Sequence, residues 1–343
     1  MSETIPSTDY SAVREGLAGV IDLSSRGRIL ISGSEAVVFL NGLVTNDMKT
    51  LAANTWMAAV FPNVQGRLLA AVRVIHRDGG FLIDTERATS DTVIKLLERF
   101  TLAGDFRLAD LTQDTALLSV QGAKAREIMA AIFGETLAIP GRDAVVSVDR
   151  QGEQITIIRA THTAEDGFDL FVNATGAEAL RDSFINAGAP PIGSDTIETL
   201  RIEAGIARYG IDMDETNVVT ETNLDDSVSF TKGCYIGQEI IARIKYRGHV
   251  AKKLTGLIFE GEVSLESGAK IFSVDDKEIG RVTSVALSPR LNRTIALGYV
   301  KYDYLAAGTS VKVDSSGTKF VAAVALLPFI RGSWYTDSAP SGA

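Results

Sequence analysis

The order of predicted helices and strands recurs within the first part of the chain. Hydrophobic periodicity predicts a strand, a helix, three strands and a second helix, and the same βαβββα series then follows again. Gly33 precedes Gly122 by 89 residues, and Phe81 precedes Phe168 by 87, so corresponding landmarks keep nearly one offset. Side chains agree only loosely between the copies, so chance resemblance between two ordinary α+β modules stays an alternative. Two such modules packed face to face would leave a central groove, a common place for a small ligand.

The predicted elements divide the chain into three parts. The first copy has strands at 27–32, 57–61, 68–75 and 81–84 and helices at 35–43 and 90–100. The second has strands at 116–121, 145–148, 155–160 and 168–172 and helices at 124–133 and 177–187, with a further helix at 196–207. Beyond Ala251, short β-type runs separated by turn residues predict a small barrel or sandwich. We therefore expect an α+β region at 1–250 with modules at about 22–112 and 113–248, a β-barrel at 251–335 and a disordered tail at 336–343.

Composition excludes several classes of function. The formal net charge of −9 argues against broad electrostatic binding of nucleic acid. A single cysteine excludes an intramolecular disulfide. Because this cysteine and the three histidines, His76, His162 and His249, lie in separate regions, the chain alone does not offer the ligands of a metal site. The start lacks the pattern of a signal or transit peptide, and the apolar run 321–330 is too short to span a bilayer. We expect a cytoplasmic protein without membrane contact.

The single cysteine, Cys234, lies in the stretch Lys-Gly-Cys-Tyr-Ile-Gly-Gln-Glu at 232–239, just before a predicted amphipathic helix. The positive end of the helix dipole and the nearby Lys232 would both favour the thiolate, which is the reactive form. The alternative is a buried cysteine that acts as a small hydrophobic residue. Flanking glycines, which allow close approach of a ligand or partner, and the polar pair Gln238 and Glu239 favour the reactive interpretation.

A cationic cluster follows at the far end of the predicted helix. Its members are Arg243, Lys245, Arg247, His249, Lys252 and Lys253. Such a cluster suits a solvated helix C-terminus, and it equally suits an anion such as a polyglutamate tail or RNA phosphates. Arg243 and Arg247 are spaced i, i+4 and can act on one face of the helix.

A carboxylate lies in a predicted hairpin at 162–167. The Asp166-Gly167 pair is typical of a hairpin turn, but Glu165 has no such structural explanation. A carboxylate at a hairpin mouth can accept two parallel hydrogen bonds from an amidine-like ring edge, as in a pterin or guanine. We therefore predict that Glu165 binds a ligand.

The cysteine segment resembles a family signature. Phe-Thr-Lys-Gly-Cys-Tyr-Ile-Gly-Gln-Glu at 230–239, preceded by Glu-Thr-Asn-Leu at 221–224, is similar to the motif of the YgfZ family of folate-binding, iron–sulfur-cluster assembly proteins. The resemblance covers most of the chain and includes segments 39–47, 165–168, 200–205 and 280–284. The cysteine motif is specific, whereas the other segments are shared with a superfamily that includes the aminomethyltransferase of the glycine cleavage system. The resemblance implies that superfamily's folate-binding fold, with tetrahydrofolate in a central groove.

The comparison with the transferase also shows a difference. The transferase carries two adjacent aspartates after an Asn-x-x-Gly-Gly turn, and the second serves catalysis. Here the segment 63–71 reads Asn-Val-Gln-Gly-Arg-Leu-Leu-Ala-Ala, so that Ala70 and Ala71 replace both aspartates, and Cys234 replaces the aspartate of the transferase Lys-Gly-Asp-Phe segment. Alanine cannot accept a hydrogen bond from a folate nitrogen, so ordinary aminomethyl transfer should be lost or very slow.

The resemblance implies a folate-binding accessory protein of the bacterial cytoplasm that maintains [4Fe-4S] enzymes, among them one that methylthiolates tRNA. Its partners would be folate and iron–sulfur enzymes or assembly proteins, with only indirect contact to tRNA. Two alternatives stay open: a tetrahydrofolate-dependent aminomethyltransferase or demethylase, and a tRNA-binding partner. The expected reactive pair is Cys234 and Lys232. The expected folate-binding residues are Asn46, Glu165, Arg201, Glu203, Tyr209, Gln238, Glu239, Arg243 and Arg247.

Overall fold

The structure is a computed structural model that describes residues 7–135, 137 and 141–336. The tail predicted at 336–343 lies outside the described residues except for Thr336, which ends the last helix. In the part of the chain that the structure describes, no helix is long and apolar enough to cross a membrane.

The helices and strands of the first 110 residues follow the predicted order, with three additions. They are α1 (Thr8–Arg14), β1 (Gly19–Asp22), β2 (Gly27–Ser32), α2 (Ala36–Leu43), β3 (Thr55–Pro62), β4 (Leu68–Arg77), β5 (Gly80–Thr85), α3 (Arg87–Glu98) and β6 (Arg107–Asp110). The additions are α1 and the four-residue strands β1 and β6. Strands this short carry little periodicity, and β6 is largely exposed, which explains why the sequence pattern does not reveal them.

The second module and the segment after it contain the next eight helices and strands. They are β7 (Thr115–Gln121), α4 (Ala125–Phe133), β8 (Val145–Arg150), β9 (Glu153–Arg159), β10 (Gly167–Asn173), α5 (Ala177–Asn186), α6 (Ser194–Glu203) and α7 (Gln238–Arg247). Helix α6 ends earlier than predicted because Gly205 adopts a left-handed φ of +68°, and a Cβ there would lie 2.8 Å from the Leu327 Cβ. The predicted α+β fold is confirmed.

Each module forms a five-stranded antiparallel sheet covered on one face by two helices. The first sheet has the order β3-β4-β5-β2-β6, and the second has the equivalent order β8-β9-β10-β7-β1. Apolar residues of α2 and α3 pack on the first sheet, and those of α4 and α5 pack on the second. The sheets therefore agree strand for strand, as the repeated βαβββα series suggests.

The repeated elements divide this region into a first half from β1 to α3 and a second half from β6 to α5. The fifth strand of each sheet comes from the other half. Strand β1 precedes β2 in sequence but pairs with β7, and β6 precedes β7 but pairs with β2. The two halves have thus exchanged their first strands. The exchange ties the modules together by backbone hydrogen bonds as well as by side-chain packing.

The uncovered faces of the two sheets pack against each other. The buried residues at this interface are Ile75 and Leu82 of the first module and Leu117, Val145, Ile158, Ala160 and Phe171 of the second. Backbone contacts continue the junction, since Trp56 N donates to Asp143 O at 2.7 Å. Two residues of this interface, Trp56 and Ala160, also line the cavity described below.

The C-terminal region is a closed six-stranded barrel. Its strands are β11 (Lys252–Phe259), β12 (Lys270–Phe272), β13 (Glu278–Ser288), β14 (Arg293–Lys301), β15 (Ser310–Ser315) and β16 (Thr318–Ala325), followed by the short helix α8 (Ser333–Thr336). The barrel order is β11-β14-β13-β12-β15-β16, and it closes because β11 pairs with both β14 and β16. Helix α6 packs on the outer face of the barrel through Ile202, which joins the barrel to the second module.

Candidate functional site

A cavity of about 300 Å³ lies where the two modules and the segment after α6 meet. Strands β3 and β4 contribute Trp56, Ala71 and Arg73, and the turn after β9 contributes His162. The segment after α6 contributes apolar residues and Tyr209, and α8 contributes Trp334. Both tryptophans of the chain therefore line this cavity. Its volume is at the lower end of the range for small-molecule sites.

Two hydrogen-bond donors in the cavity wall are buried and unsatisfied. The indole Nε1 of Trp56 and the Nη2 of Arg73 find no acceptor among the described residues. Leaving such a donor buried without a partner costs about 1–3 kcal/mol, so native proteins rarely do so without a functional reason. Because both residues line the cavity, both donors are candidates to bind acceptor atoms of a polar ligand.

The remaining nitrogens of Arg73 hold the cavity floor in place through two aspartates. Arg73 Nε donates to Asp84 at 2.7 Å, and Arg73 Nη1 donates to Asp169, which also contacts His162 Nε2 at 3.0 Å. Burial alone would raise the pKa of Asp84, but the charges of Arg26 and Arg73 hold it well below its usual range. Burial would likewise raise the pKa of Asp169, but His162 and Arg73 lower it. Both aspartates are thus ionised and committed to fixing Arg73.

The cavity lacks the free carboxylate that the transferase comparison would require. Ala71 lines the cavity, whereas Ala70 points to the opposite face of β4 and lies in the core of the first module. Glu86 is the one carboxylate among the described lining residues, and it is held in a salt bridge by Arg26. A methyl group therefore occupies the wall position where the resemblance expects an acid.

Three of the predicted folate-binding residues lie in buried networks away from the cavity. Glu165 accepts from Arg14 at 2.9 Å and from Ser333 at 2.7 Å, so both of its oxygens are engaged. Glu203 is fully buried and accepts from Arg14 at 2.7 Å as well as from Tyr10.

Arg201 has a similar structural role at the barrel. It donates to Asp212 at 2.6 Å and to Ser284 at 2.8 Å, which joins α6 to β13. The structure therefore does not bring Glu165, Glu203 or Arg201 to the cavity. Sequence alone could not separate a buried ion network from a ligand site, because both require paired charges.

Two other predicted residues lie at or beside the cavity. Tyr209 lines it, and burial raises the pKa of its hydroxyl group. Asn46 donates through Nδ2 to the carbonyl oxygens of Ala58, at 2.9 Å, and Asp226, at 3.2 Å. Asn46 thereby supports the wall, since Ala58 is a lining residue.

Cys234 lies on an exposed loop and does not line the cavity. Helix α7 begins only at Gln238, after Gly237 in a left-handed conformation, so the thiol precedes the first helical turn by several residues. The next residue, Tyr235, is buried in an apolar cluster against which Ala71 and Tyr209 also pack. The cysteine loop and the cavity thus share one wall although they open at different places.

The two glycines that flank Cys234 have different requirements. Gly237 has φ +77°, and a Cβ there would lie 2.3 Å from the Asn63 oxygen, so close packing against the β3–β4 turn explains it. A Cβ at Gly233 would meet no atom within 4 Å. Gly233 therefore leaves open space beside the thiol that the fold does not need.

Lys232 has a structural role that the sequence prediction did not include. Its Nζ is buried and donates to three backbone carbonyls, those of Asn41 at 2.7 Å, Val44 at 2.9 Å and Asn46 at 2.7 Å. The Asn41 carbonyl lies in the last turn of α2, and those of Val44 and Asn46 follow the helix, so Lys232 caps its C-terminus. Burial lowers the pKa of Lys232 to about 8, with Asp47 acting in the opposite direction. All three ammonium protons are engaged, so none remains to bind the Cys234 thiolate.

The predicted cationic cluster is divided among separate contacts. Lys253 pairs with Asp225 at 3.3 Å, and the His249 ring stacks on Tyr302 at 3.9 Å. Arg243 is exposed, whereas the side chain of Arg247 lies outside the described part of the structure.

The polar residues at the start of α7 are not brought to the cavity. Gln238 makes a long contact of 3.4 Å to the Lys232 oxygen, and Glu239 is exposed on the first turn. Neither side chain is among the residues that line the cavity.

Sequence reasoning named Tyr209 and Ala71 of the cavity wall but missed its other aromatic and cationic residues. Trp56, Arg73, His162 and Trp334 belong to no motif and are far apart in sequence. The one available signal was the scarcity of tryptophan, which occurs twice in 343 residues. Two α+β modules with a polar and aromatic cavity between them, followed by a separate barrel, define the class: a two-module α+β protein with a cavity of small-molecule size.

Comparisons with known proteins give the family. Residues 3–232 match the GCVT N-terminal domain, and residues 252–330 match the glycine cleavage T-protein C-terminal barrel domain. The chain therefore belongs to the glycine cleavage T-protein family. These matches do not distinguish the YgfZ subfamily from the rest of the family.

Individual relatives agree with this family assignment. The chain is 30% identical over 330 residues to an aminomethyltransferase of Picosynechococcus sp., covering 95% of this chain and 90% of that protein. It is 31% identical to an aminomethyltransferase of Rubrobacter xylanophilus, covering 85% and 78%. The fold is similar to that of the crystal structure of aminomethyltransferase T from Bartonella henselae, with a TM-score of 0.86, 22% identity and coverage of 94% and 89%. Aminomethyltransferases of this family use tetrahydrofolate, which confirms the expected cofactor at the level of the family.

Proposed function

We propose that this protein binds a reduced folate in the central cavity and serves [4Fe-4S] enzymes as an accessory protein that acts through Cys234. One observation carries the folate half of the proposal. The cavity presents the unsatisfied donors Trp56 Nε1 and Arg73 Nη2, but it has alanine at the position where the transferase has its catalytic acid. The site is thus equipped to bind the ring of a folate and not to transfer its one-carbon unit.

The residues of the cavity fit the pterin ring of tetrahydrofolate. Trp56 and Arg73 would donate to its ring nitrogen and oxygen acceptors, and the faces of Tyr209 and Trp334 offer flat contact. The cavity volume of about 300 Å³ suits the ring system and leaves the glutamyl tail outside. When bound, tetrahydrofolate carries one-carbon units on its nitrogens. The protein's own residues bind and orient the ring and exclude water from it.

The thiol half of the proposal is supported by exposure and by sequence. Cys234 is exposed, and Gly233 leaves unobstructed space beside it. The motif around it resembles the YgfZ signature, whose bearers serve iron–sulfur enzymes, including one that methylthiolates tRNA. Packing of Tyr235 against the wall residues Ala71 and Tyr209 gives a physical route by which an occupied cavity would stiffen the cysteine loop.

Aminomethyl transfer is the second candidate, because the curated relatives carry that name. A transferase would need a carboxylate or another base near the folate nitrogen. Glu86 is paired with Arg26, and Asp84 and Asp169 are committed to Arg73, so within the described residues no free acid lines the cavity. A tRNA-binding role has less support, because Lys253 and His249 of the cationic cluster are engaged within the protein.

Two measurements test the proposal. Because both tryptophans line the cavity, titration with tetrahydrofolate should change the intrinsic fluorescence in a saturable way. Unchanged fluorescence together with no binding heat would refute the folate site. An assay for tetrahydrofolate-dependent release of a one-carbon unit from an aminomethyl or N-methyl donor should show no turnover, and robust turnover would favour the transferase instead.

The thiol is tested separately. In a bacterial strain that lacks its own family member, wild type should restore the activity of [4Fe-4S] enzymes, and Cys234→Ser should not. Ile236→Val is a matched control in the same loop, because Ile236 is exposed and does not line the cavity, so both the fold and the thiol should be unaffected. Full restoration by Cys234→Ser would remove the thiol from the mechanism while leaving the folate site intact.

A further inference from the structure

A second cavity, of about 690 Å³, lies between the outer face of the barrel and the segment 211–217. It is larger than the central cavity and is separated from it by Met213, which contributes to both walls. One wall is formed by β11, β13 and β14 of the barrel, and the other by the acidic segment that follows α6. None of the functions considered above uses it.

A buried hydroxyl group in this cavity has no partner. Tyr299 is 6% exposed, and its Oη makes no hydrogen bond with any described residue. Burial raises the pKa of Tyr299, and the charges of Glu221, Asp212 and Asp214 add to that effect, so the hydroxyl stays protonated and is a donor. Because Tyr299 lines the cavity, this buried and unsatisfied donor is a candidate to bind a ligand there.

Cationic side chains surround this hydroxyl on the barrel wall. Arg281 lies directly opposite Tyr299 in the β13–β14 ladder, and Lys252 lies directly opposite Lys301 in the β11–β14 ladder. Since Tyr299 and Lys301 are two residues apart on one strand, all four side chains share the outer face of the barrel. Like charges opposite each other in a sheet destabilise it, unless an anion lies between or above them.

The carboxylate of Glu278, which also lines this wall, offsets only part of the positive charge: the hydrogen bond from Lys270 lowers its pKa, and the charges of Arg281 and Lys301 add to that effect. In the part of the chain that the structure describes, Arg281, Lys252 and Lys301 make no salt bridge, and Glu278 pairs instead with Lys270 at 2.9 Å. Lys301 donates to a backbone carbonyl at 3.0 Å, and Lys252 lies over the Tyr299 ring at 5.0 Å. The barrel wall therefore carries an excess of positive charge, with three cations and the single carboxylate of Glu278 among its described lining residues.

The opposite wall is acidic, but its carboxylates are partly engaged. Asp212 is bound by Arg201 and by Thr283, and Asp214 accepts from the Thr216 hydroxyl at 2.6 Å through one oxygen. The other Asp214 oxygen can accept a hydrogen bond from a ligand. The cavity thus has a basic wall and an acceptor wall facing each other.

We propose that this cavity is a second ligand site, which binds a small molecule with a phosphate or carboxylate group at one end and hydrogen-bond donors at the other. The anionic group contacts Arg281, Lys301 and the Tyr299 hydroxyl, and the donors face Asp214. This site does not depend on folate binding in the central cavity.

Titration calorimetry with O-phosphoserine and with glutamate tests this site, because each probe combines an anionic end with an ammonium donor. Wild type should bind at least one probe saturably, and the preferred probe identifies phosphate or carboxylate as the recognised group. Arg281→Gln and Tyr299→Phe should each weaken binding by about tenfold or more, since each removes a hydrogen bond to a charged group. Arg281 is exposed, and phenylalanine retains the Tyr299 ring, so both variants should fold.

Lys277→Gln is the matched control, because it removes one charge from the same barrel at an exposed position outside the cavity. It should leave binding unchanged. Trp56→Phe, which alters the folate cavity, should also leave it unchanged, so failure of the folate proposal is distinguishable from failure of this one. No saturable binding of either probe by wild type, or equal binding by wild type, Arg281→Gln and Tyr299→Phe, would overturn the inference.

Discussion

Replacing Trp56 by phenylalanine should separate ligand binding from stability. In the free protein the indole N–H is buried without an acceptor, which costs about 1–3 kcal/mol of folding free energy. Phenylalanine removes that donor but also removes part of the ring, and about 40 Å² of lost apolar burial at roughly 25 cal/mol/Å² costs about 1 kcal/mol. The two effects oppose each other. We therefore expect the free energy of unfolding to stay within about 1 kcal/mol of wild type or to rise.

Folate binding should change in the opposite sense. In the complex the indole donates to a ring acceptor, and phenylalanine would leave that acceptor desolvated and unpaired. A loss of about 1–2 kcal/mol corresponds to roughly a 5- to 30-fold increase in Kd. Urea unfolding of the free protein and calorimetric titration with tetrahydrofolate measure the two quantities, and Trp334 remains as a fluorescent reporter in the variant.

Trp334→Phe is the control for general changes to the cavity wall. Its ring lies near the guanidinium groups of Arg142 and Arg159, at 4.6 and 5.3 Å, so its truncation should reduce stability through lost cation–π contact. Trp56→Phe should differ by weakening binding without that loss. If Trp56→Phe destabilises the free protein and leaves the folate Kd unchanged, the indole is a packing residue and the interpretation of the cavity is wrong.

Further outcomes follow from other contacts. Gly237→Ala should destabilise the protein by more than about 2 kcal/mol in urea unfolding, because the left-handed φ of +77° and the 2.3 Å distance to the Asn63 oxygen exclude a Cβ. Gly233→Ala should change the free energy of unfolding by less than about 0.5 kcal/mol. Equal effects of the two substitutions would contradict this account of the packing. Lys232→Met should cost about 3 kcal/mol or more by leaving three carbonyls without their donor, and an unchanged Tm would show that water replaces it. The pKa of Asp84 in the folded protein is lowered to about 2, so its ionised form contributes about 2 kcal/mol to the free energy of unfolding above pH 4. This contribution is lost as the pH falls toward 2. Asp84→Asn should remove this acid dependence of stability, and a pH profile identical to that of wild type would refute the prediction.

The sequence predicted the larger elements because their burial has a period. The βαβββα series and the barrel are confirmed: strand β4 alternates between buried and half-buried residues, and helix α3 has one apolar stripe. The four-residue edge strands β1 and β6 were missed because so few residues cannot show alternation.

The candidate site was less predictable than the fold. The motif directed attention to Cys234, whose exposure agrees with a reactive role, but it also suggested Lys232 as its activator. The three carbonyls that engage Lys232 lie at and just after the end of α2, about 190 residues earlier, so no local pattern contains them. Likewise Glu165 meets Arg14 and Ser333 only after the chain has folded. Long-range pairing therefore decides which charged residues are structural.

The exchange of β1 and β6 between the two sheets makes the halves of this chain mutually dependent. A fragment that contains only the first half would supply β1 with no β7 to pair with, and it would leave the edge of β2 open because β6 is missing. An open edge of this kind recruits other chains, so each half expressed alone should aggregate. The two halves expressed together can complete each other's sheets, as two copies of one half-length chain would do in a symmetric, strand-swapped dimer. The single chain thus has the architecture of such a dimer whose subunits have been fused.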